Sequence, residues 1–450
     1  MNRRSAAAAL TALVLAGPAG CASSATLGGP ATEKAYGHMR SALASYDSAG
    51  FLTGPPDFPV VGRAVVLAGP PDSVFVGFAA SMPPSALRFA RDGSTVAARY
   101  QVTMLVRTRS DTLARVDRRE VVRVADFSEA ASHEPRVLFQ RFLLVPAGSL
   151  TLEVTVRELA ARRQAEHSFH LDARSGGSEP LVAYRADRRT APGVPPDILL
   201  NGRNTVTASE RSAVVFLEGT SGRPGLAKLG IERDGTELWS ATVALDAGDG
   251  DPPSAVAALP VHQLPPGRAT LRADYPGGGT APPATLYIGL APEWVFPSWE
   301  EALAYLTYAL DPDTLEAWKV AAPGEQAAAW RRFQERTDPD PATPTNEFLD
   351  RYFDRMGLAN ERFDEPGRAG WETNRGEVLV KLGEPDRQRF IRPERQNDVP
   401  RIQWEYDESL PSPGLIVFED STEFGVFVMT SRSRAVLRRL VQQLAEAAAE

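Results

Sequence analysis

Few side chains in this chain of 450 residues are placed to do chemistry. Glu377, Glu384 and Asp386 stand close together near the C-terminus. Two carboxyl groups flanking a glycosidic bond would supply the acid and the base or nucleophile of glycan hydrolysis. Acids beside a strand are more commonly solvated, and Gly383-Glu384-Pro385-Asp386 also reads as a turn. The five histidines are scattered. His167 and His170 are three apart in a strand-like stretch, so they should face opposite sides and not share a metal. His38, His133 and His262 have no ligand set beside them in the sequence. No nucleophile elbow, phosphate loop, zinc-binding His-Glu-x-x-His or dinucleotide fingerprint is present. The expectation is a non-enzyme, with no catalytic residue, metal or cofactor.

The sole cysteine, Cys21, has a different chemistry. Before it, Arg3 and Arg4 precede a short apolar run, Ala6–Ala16. That run is too short for a bilayer, which takes ~20 helical residues. Ala19-Gly20-Cys21 then resembles a bacterial lipobox, with Pro18 where Leu is usual. The resemblance implies a thioether-linked diacylglycerol on Cys21, an acylated new N-terminus and a membrane partner held through those chains. A plain secretory leader with an incidental cysteine is the alternative. The polar tether Cys-Ala-Ser-Ser-Ala-Thr-Leu-Gly-Gly-Pro follows. Ala22, rather than Asp, next to the cysteine implies the outer membrane, facing periplasm or surface. Without further cysteines, disulfides and thiolate metal sites are excluded. A net charge of −8 without basic runs excludes nucleic acid as a partner.

The densest motif lies between Asp338 and Asp386. It runs Asp-Pro-Asp-Pro-Ala-Thr-Pro-Thr-Asn-Glu-Phe, then a helix, then Gly370-Trp371-Glu372-Thr373-Asn374-Arg375-Gly376 and Leu382-Gly383-Glu384-Pro385-Asp386. Gly370 permits a turn that a side chain would block. Trp371 fits the gap between helix and sheet, its indole N–H bonded to a backbone carbonyl. Thr373 and Asn374 suit local backbone hydrogen bonds. Arg375 suits a carboxylate such as Glu347, and Gly376 opens a strand. A ligand groove around Trp371, Arg375 and Tyr406 is the functional alternative to this packing role. The pattern resembles the GWxTD-domain family of bacterial envelope proteins over about Trp299 to Ser431. The resemblance implies envelope location and architecture, and brings no established reaction. Asn374 departs from it, since the family has Asp there; a carboxylate-dependent role would be impaired, a hydrogen-bonding one preserved.

The elements that carry these residues follow from periodicity. Tyr100, Val102, Met104 and Val106 alternate with Gln101, Thr103, Leu105 and Arg107, and Leu152, Val154 and Val156 alternate likewise. That predicts antiparallel strands with one buried and one wet face. Asp92-Gly93, Pro146-Ala147-Gly148 and Asp234-Gly235 mark turns. Pro-x-Gly-x-x-Thr-Leu occurs at Pro146 and again at Pro265, which points to a duplication. After Pro292 helices are expected at Trp299–Leu310, Asp313–Val320 and Gly324–Arg336, then a long one beginning near Pro344 with a stripe of Phe348, Tyr352, Met356, Ala359 and Phe363. Strands are expected around Val378–Leu382, Ile402–Tyr406, Leu415–Phe418 and Phe424–Met429.

The expected fold is therefore multidomain. A leader (1–20) and a tether (21–57), with a short helix at Thr32–Tyr46, precede two immunoglobulin-like β-sandwiches (58–175 and 178–291). A small α+β module (297–432) and a closing helix (433–450) complete the chain. The expected function is a lipid-anchored envelope protein that binds or assembles with a protein or glycan partner. An envelope hydrolase using a C-terminal carboxylate pair is the alternative.

Overall fold

Apolar alternation in the first half of the chain builds stacked sheets in the computed structural model. It describes residues 37–447, apart from 132–135, 174–177, 190–192, 220–223, 247–251, 276–280, 292, 364, 366, 394–397 and 423. Cys21 and the rest of the leader and tether up to residue 36 lie outside the described residues, as does His133.

The first sandwich pairs two antiparallel sheets. In one, Thr95–Arg107 is flanked by Thr112–Val124 on one side and Ser149–Glu158 on the other, and Gln164–Asp172 follows outermost. In the other, Leu52–Thr53, Val61–Ala68, Ser73–Met82 and Val137–Pro146 lie in that order. Val102, Met104, Val154, Val76 and Phe78 fill the space between them. The second sandwich repeats the plan. Leu181–Ala186, Ala213–Glu218 and Ser254–Leu259 form one sheet, with Ile198–Leu200 at its edge. Thr236–Leu245, Gly225–Arg233, Gly267–Asp274 and Ala284–Gly289 form the other, with Thr205–Thr207 added in parallel. Strand order matches between the two sandwiches: Thr95–Arg107 and Gly225–Arg233 are each central, with their hairpin partner (Thr112–Val124 or Thr236–Leu245) on one side and Ser149–Glu158 or Gly267–Asp274 on the other. Both Pro-x-Gly-x-x-Thr-Leu segments enter the strand that pairs with that central one. The topology thus supports the duplication that the short echo suggests.

Alternation does not hold in every strand of the first sandwich. Thr95–Arg107 and Ser149–Glu158 do present a buried and a wet face, but Ser73–Met82 is buried almost throughout. Its odd residues, with Val65 and Leu67, meet Leu181, Ile198 and Phe216 of the second sandwich. A sheet covered on both sides reads as a hydrophobic run, as this strand does.

Helix α1 (Gly37–Ser48) lies within the stretch expected to be tether, as does the strand Leu52–Thr53. Ala42, Leu43 and Tyr46 pack with Phe51 and Val61 of the first sandwich and Tyr287 and Val295 beyond it. Helix α2 (Phe127–Ala130) is a single turn capped by Asp126. The C-terminal module contains α3 (Trp299–Ala304), α4 (Pro312–Lys319), α5 (Pro323–Thr337), α6 (Glu347–Arg362), α7 (Asn374–Leu382) and α8 (Ser431–Ala447). Ser298 caps α3, which ends before Leu310. Asn346, not Pro344, begins α6: its side chain accepts the N–H groups of Phe348 and Leu349. A four-stranded antiparallel sheet completes the module, with Arg387–Ile391, Arg401–Tyr406, Gly414–Glu419 and Val428–Met429 in order. Val378–Leu382 is not a strand but the body of α7. Phe424, expected in a buried strand, is 86% exposed in the loop before Val428. One hydrophobic core runs from the second sandwich (Leu229, Ile231, Leu271) into the module (Trp330, Phe353, Trp404).

Candidate functional site

The Gly-Trp motif sits where α6, α7 and the module's sheet converge. A Cβ on Gly370 would stand 2.1 Å from the carbonyl oxygen of Ala359 in α6, and one on Gly376 would stand 2.0 Å from that of Gly370. Both glycines are therefore required by backbone contact between α6, the turn Gly370–Glu372 and α7. Trp371, buried, lies against the rings of Tyr305 (5.3 Å) and Tyr308 (5.7 Å). Among the described residues its main-chain groups, rather than the indole N–H, make its hydrogen bonds: the N–H donates to Asn360 Oδ1 (3.2 Å) and the carbonyl accepts from Tyr308 (3.3 Å). Thr373 caps α7, accepting from the Gly376 N–H (3.0 Å) and donating to the Gly370 carbonyl (2.7 Å).

Asn374 reaches beyond the local backbone. Its Oδ1 accepts from the Met429 N–H (3.1 Å) and from Arg434 of α8 (2.8 Å), which ties α7 to the last strand and the closing helix. Arg375 pairs not with Glu347 but with Glu365, at 3.6 Å. Its guanidinium is held between Phe363 (4.9 Å) and Phe427 (4.8 Å). Burial draws its pKa downward against the pull of Glu365. Tyr406 is fully buried and donates to the Gly383 carbonyl at 3.0 Å. Burial pushes its phenol upward, away from ionisation. The side chains of this motif are spent on packing and on holding neighbouring elements.

The three nearby carboxylates go separate ways. Glu377 meets Lys381 at 2.7 Å and Arg434 at 3.8 Å. Glu384 pairs with Arg362. Asp386 accepts the N–H groups of Asp407 (2.6 Å), Glu408 (2.8 Å) and Ser409 (3.2 Å). These backbone donors, those of Glu408 and Asp407 foremost, lower its pKa to about 2. A general acid needs the opposite shift.

Two further clefts among the described residues are lined by histidines. One, of about 430 Å³, opens beside the first sandwich and is lined by Arg63, His167, His170, Glu179 and Asn204. His167 stands opposite buried Val154 and His170 opposite Thr151, which puts the two rings on opposite faces. Burial lowers the pKa of His167. Arg63 is occupied by Glu179.

The other cleft, about 360 Å³, lies at the joint between the second sandwich and the module. Sequence reasoning missed it, because its walls come from segments far apart in the chain. The Asp-Pro-x-Pro segment is what forms one wall. Asn346 donates its N–H to the Ser209 carbonyl (2.7 Å), and the Arg211 N–H donates to the Pro344 carbonyl (2.9 Å). Arg211 also reaches Asp338 Oδ2 at 2.6 Å. Gln334 on α5 donates to the Ala208 carbonyl (2.6 Å) and accepts from Asn346 (2.7 Å). His262 Nδ1 lies 2.8 Å from the Arg211 carbonyl and donates its proton to it. Among the described residues, no group of His, Cys, Asp and Glu is arranged to hold a metal.

Comparison with known proteins adds little. No family model matches the chain, and no curated protein matches it. Among solved structures, a Bifidobacterium dentium beta-glucuronidase complexed with coumarin-3-O-glucuronide aligns at 10% identity over 47% of this chain and 39% of that one, with a TM-score of 0.16. At that score the likeness carries no argument.

Proposed function

We propose that this chain is a lipid-anchored protein of the bacterial cell envelope, of the GWxTD-domain kind, that binds or scaffolds a protein or glycan partner without catalysing a reaction. The reading rests first on the leader and the lipobox-like Ala19-Gly20-Cys21, which would attach the mature chain to the outer membrane through acyl groups. It is supported by the tandem β architecture, whose matching strand orders fit an immunoglobulin-like plan. The observation that carries the binding role is the joint between second sandwich and module. There the second sandwich and the module share a core and leave a cleft lined by Arg211, His262, Gln334 and Asp338, the common setting for a ligand site. The separate engagement of Glu377, Glu384 and Asp386 does not favour the hydrolase alternative.

Crosslinking in intact cells followed by mass spectrometry tests the role. A reproducible partner crosslinked to the sandwiches or the joint is expected. Absence of any specific partner, or turnover of envelope glycan that is lost in Glu377→Gln or Asp386→Asn, would refute it.

A further inference from the structure

The cleft beside the first sandwich follows the free edge of a strand. Among the described residues Gln164–Asp172 pairs with Ser149–Glu158 alone. Its residues from His167 to Leu171 all line the cleft. Gly148 and Ala173, at the end of this ladder, exchange both N–H···O bonds (2.9 and 3.3 Å). In an antiparallel pair such bonded pairs alternate with unbonded ones. Phe169 and Leu171 therefore bond to the partner strand, whereas Ser168 and His170 turn their N–H and C=O groups outward. Both are exposed. Side chains alternate in the same way. His167, Phe169 and Leu171 face inward, with the rings of His167 and Phe169 4.5 Å apart and Phe51 on the same cleft. Glu166 and Asp172 flank the cleft without lining it. The exposed stretch thus has no carboxylate and no proline to repel another strand. The edge strand Thr112–Val124, by contrast, carries Arg118, Arg119 and Glu120 in a row. Pro283 and Thr285 of the second sandwich also wall the cleft, so a segment laid there is enclosed rather than left on an open edge.

We propose that this cleft takes an extended segment of a partner protein as an added antiparallel strand, bonded through the main chain to Ser168 and His170. Main-chain bonds supply the affinity of such recognition, and alternate side chains supply its selectivity. Segment residues directly opposite Ser168 and His170 exchange both bonds and keep their side chains on the wet face. The residues between them turn inward, onto Phe169, Leu171 and Phe51. The fitting segment therefore alternates polar and apolar residues. Five residues of strand span about 16 Å, the reach of the lining stretch. The assignment rests on the binding role proposed above and names its partner as polypeptide. A glycan has no row of N–H and C=O groups at strand spacing.

The test is amide hydrogen exchange of the full chain in detergent, read at Ser168 and His170, with acetyl-Lys-Thr-Val-Thr-Val-Thr-Lys-amide as the probe. Near saturation both amides should exchange about tenfold more slowly. N-methylation of the threonines removes the bonds to Ser168 and His170 and should abolish the protection. N-methylation of the valines, whose N–H groups point away from this edge, should leave it in place. Ser168→Pro deletes one outward donor on an edge strand, where proline is tolerated, and should remove the protection at His170 while keeping the wild-type melting temperature. The methylated peptides draw the same distinction without a variant, should Ser168→Pro fail to fold. Equal protection by both methylated peptides, no protection by any peptide, or protection by chitotetraose instead would overturn the proposal. A partner crosslinked at the joint in cells, with neither amide protected, would leave the binding role standing and refute this site.

Discussion

At the residue scale, the Gly-Trp motif behaves as a structural knot. Gly370→Ala forces a Cβ into the Ala359 carbonyl, and a loss of more than about 3 kcal/mol in denaturant unfolding is expected. Gly357→Ala serves as the contrast. It lies within α6 with nothing within 4 Å of a Cβ, and should stabilise by about 0.5–1 kcal/mol. Trp371→Ala should cost about 3–5 kcal/mol, because it empties the space beside Tyr305 and Tyr308. A stable Trp371→Ala protein would reopen the ligand-groove reading of Trp371, Arg375 and Tyr406. Asp386 gives a pH signature. Its folded pKa of about 2 lies below the ordinary 3.8, so its contribution is complete above that ordinary value and is lost as pH falls toward 2. The melting temperature of Asp386→Ala should therefore lie below wild type at pH 6, and the gap should close as pH falls from 4 to 2. A gap that stays constant over that range would refute the assignment.

At the element scale, local chemistry was legible where it had one cause. Asp234-Gly235 forms its hairpin with φ of 49° and 76°, the positive values a tight turn demands. Ser298 and the α6 stripe were equally plain. Helix α7 was not. Val378, Val380 and Leu382 alternate as in a strand, yet Leu379 between them is buried as well. A short helix enclosed on most sides loses its 3.6-residue signature, and period two appears by accident. The cap at Thr373 was the better signal. Long-range pairings such as Asn374 with Met429 and Arg434, or Arg375 with Glu365, leave no local trace, and neither does the cleft at the joint. Strand Thr112–Val124 shows a further rule. It is a thirteen-residue edge, and Arg118 and Glu120 sit on its core-facing side, opposite buried Val102 and Tyr100. Charges along an edge strand guard it against pairing with another chain. Replacing both with Val should produce concentration-dependent self-association in sedimentation velocity; a strictly monomeric double variant would deny the guarding role.

At the scale of the whole molecule, contacts between modules join the described residues into a continuous stack. Helix α1 touches all three parts: it packs on Phe51 and Val61, its Ser45 hydroxyl shares a hydrogen bond with Tyr287 (3.0 Å), and Ser41 donates to Glu301 of α3 (2.7 Å). The sandwiches are also joined by Arg189 and Glu218, paired at 2.8 Å with side chains 1% exposed. Arg189 donates to the Ala68 carbonyl (2.8 Å), and Glu218 accepts the Ala68 N–H (2.7 Å). Arg189→Met should cost about 3–5 kcal/mol by leaving a carboxylate buried without its partner, and adding Glu218→Leu should recover part of that loss in thermal unfolding. No recovery would mean that the loss comes from packing rather than from charge. The proposed anchor at Cys21 is what the envelope reading rests on. The most direct measurement is the mass of the N-terminal peptide of protein extracted from membranes. The account predicts a chain that begins at Cys21 and carries acyl groups on its sulfur and its α-amine. A chain that retains Met1, or an unacylated chain recovered free in the medium, would contradict it.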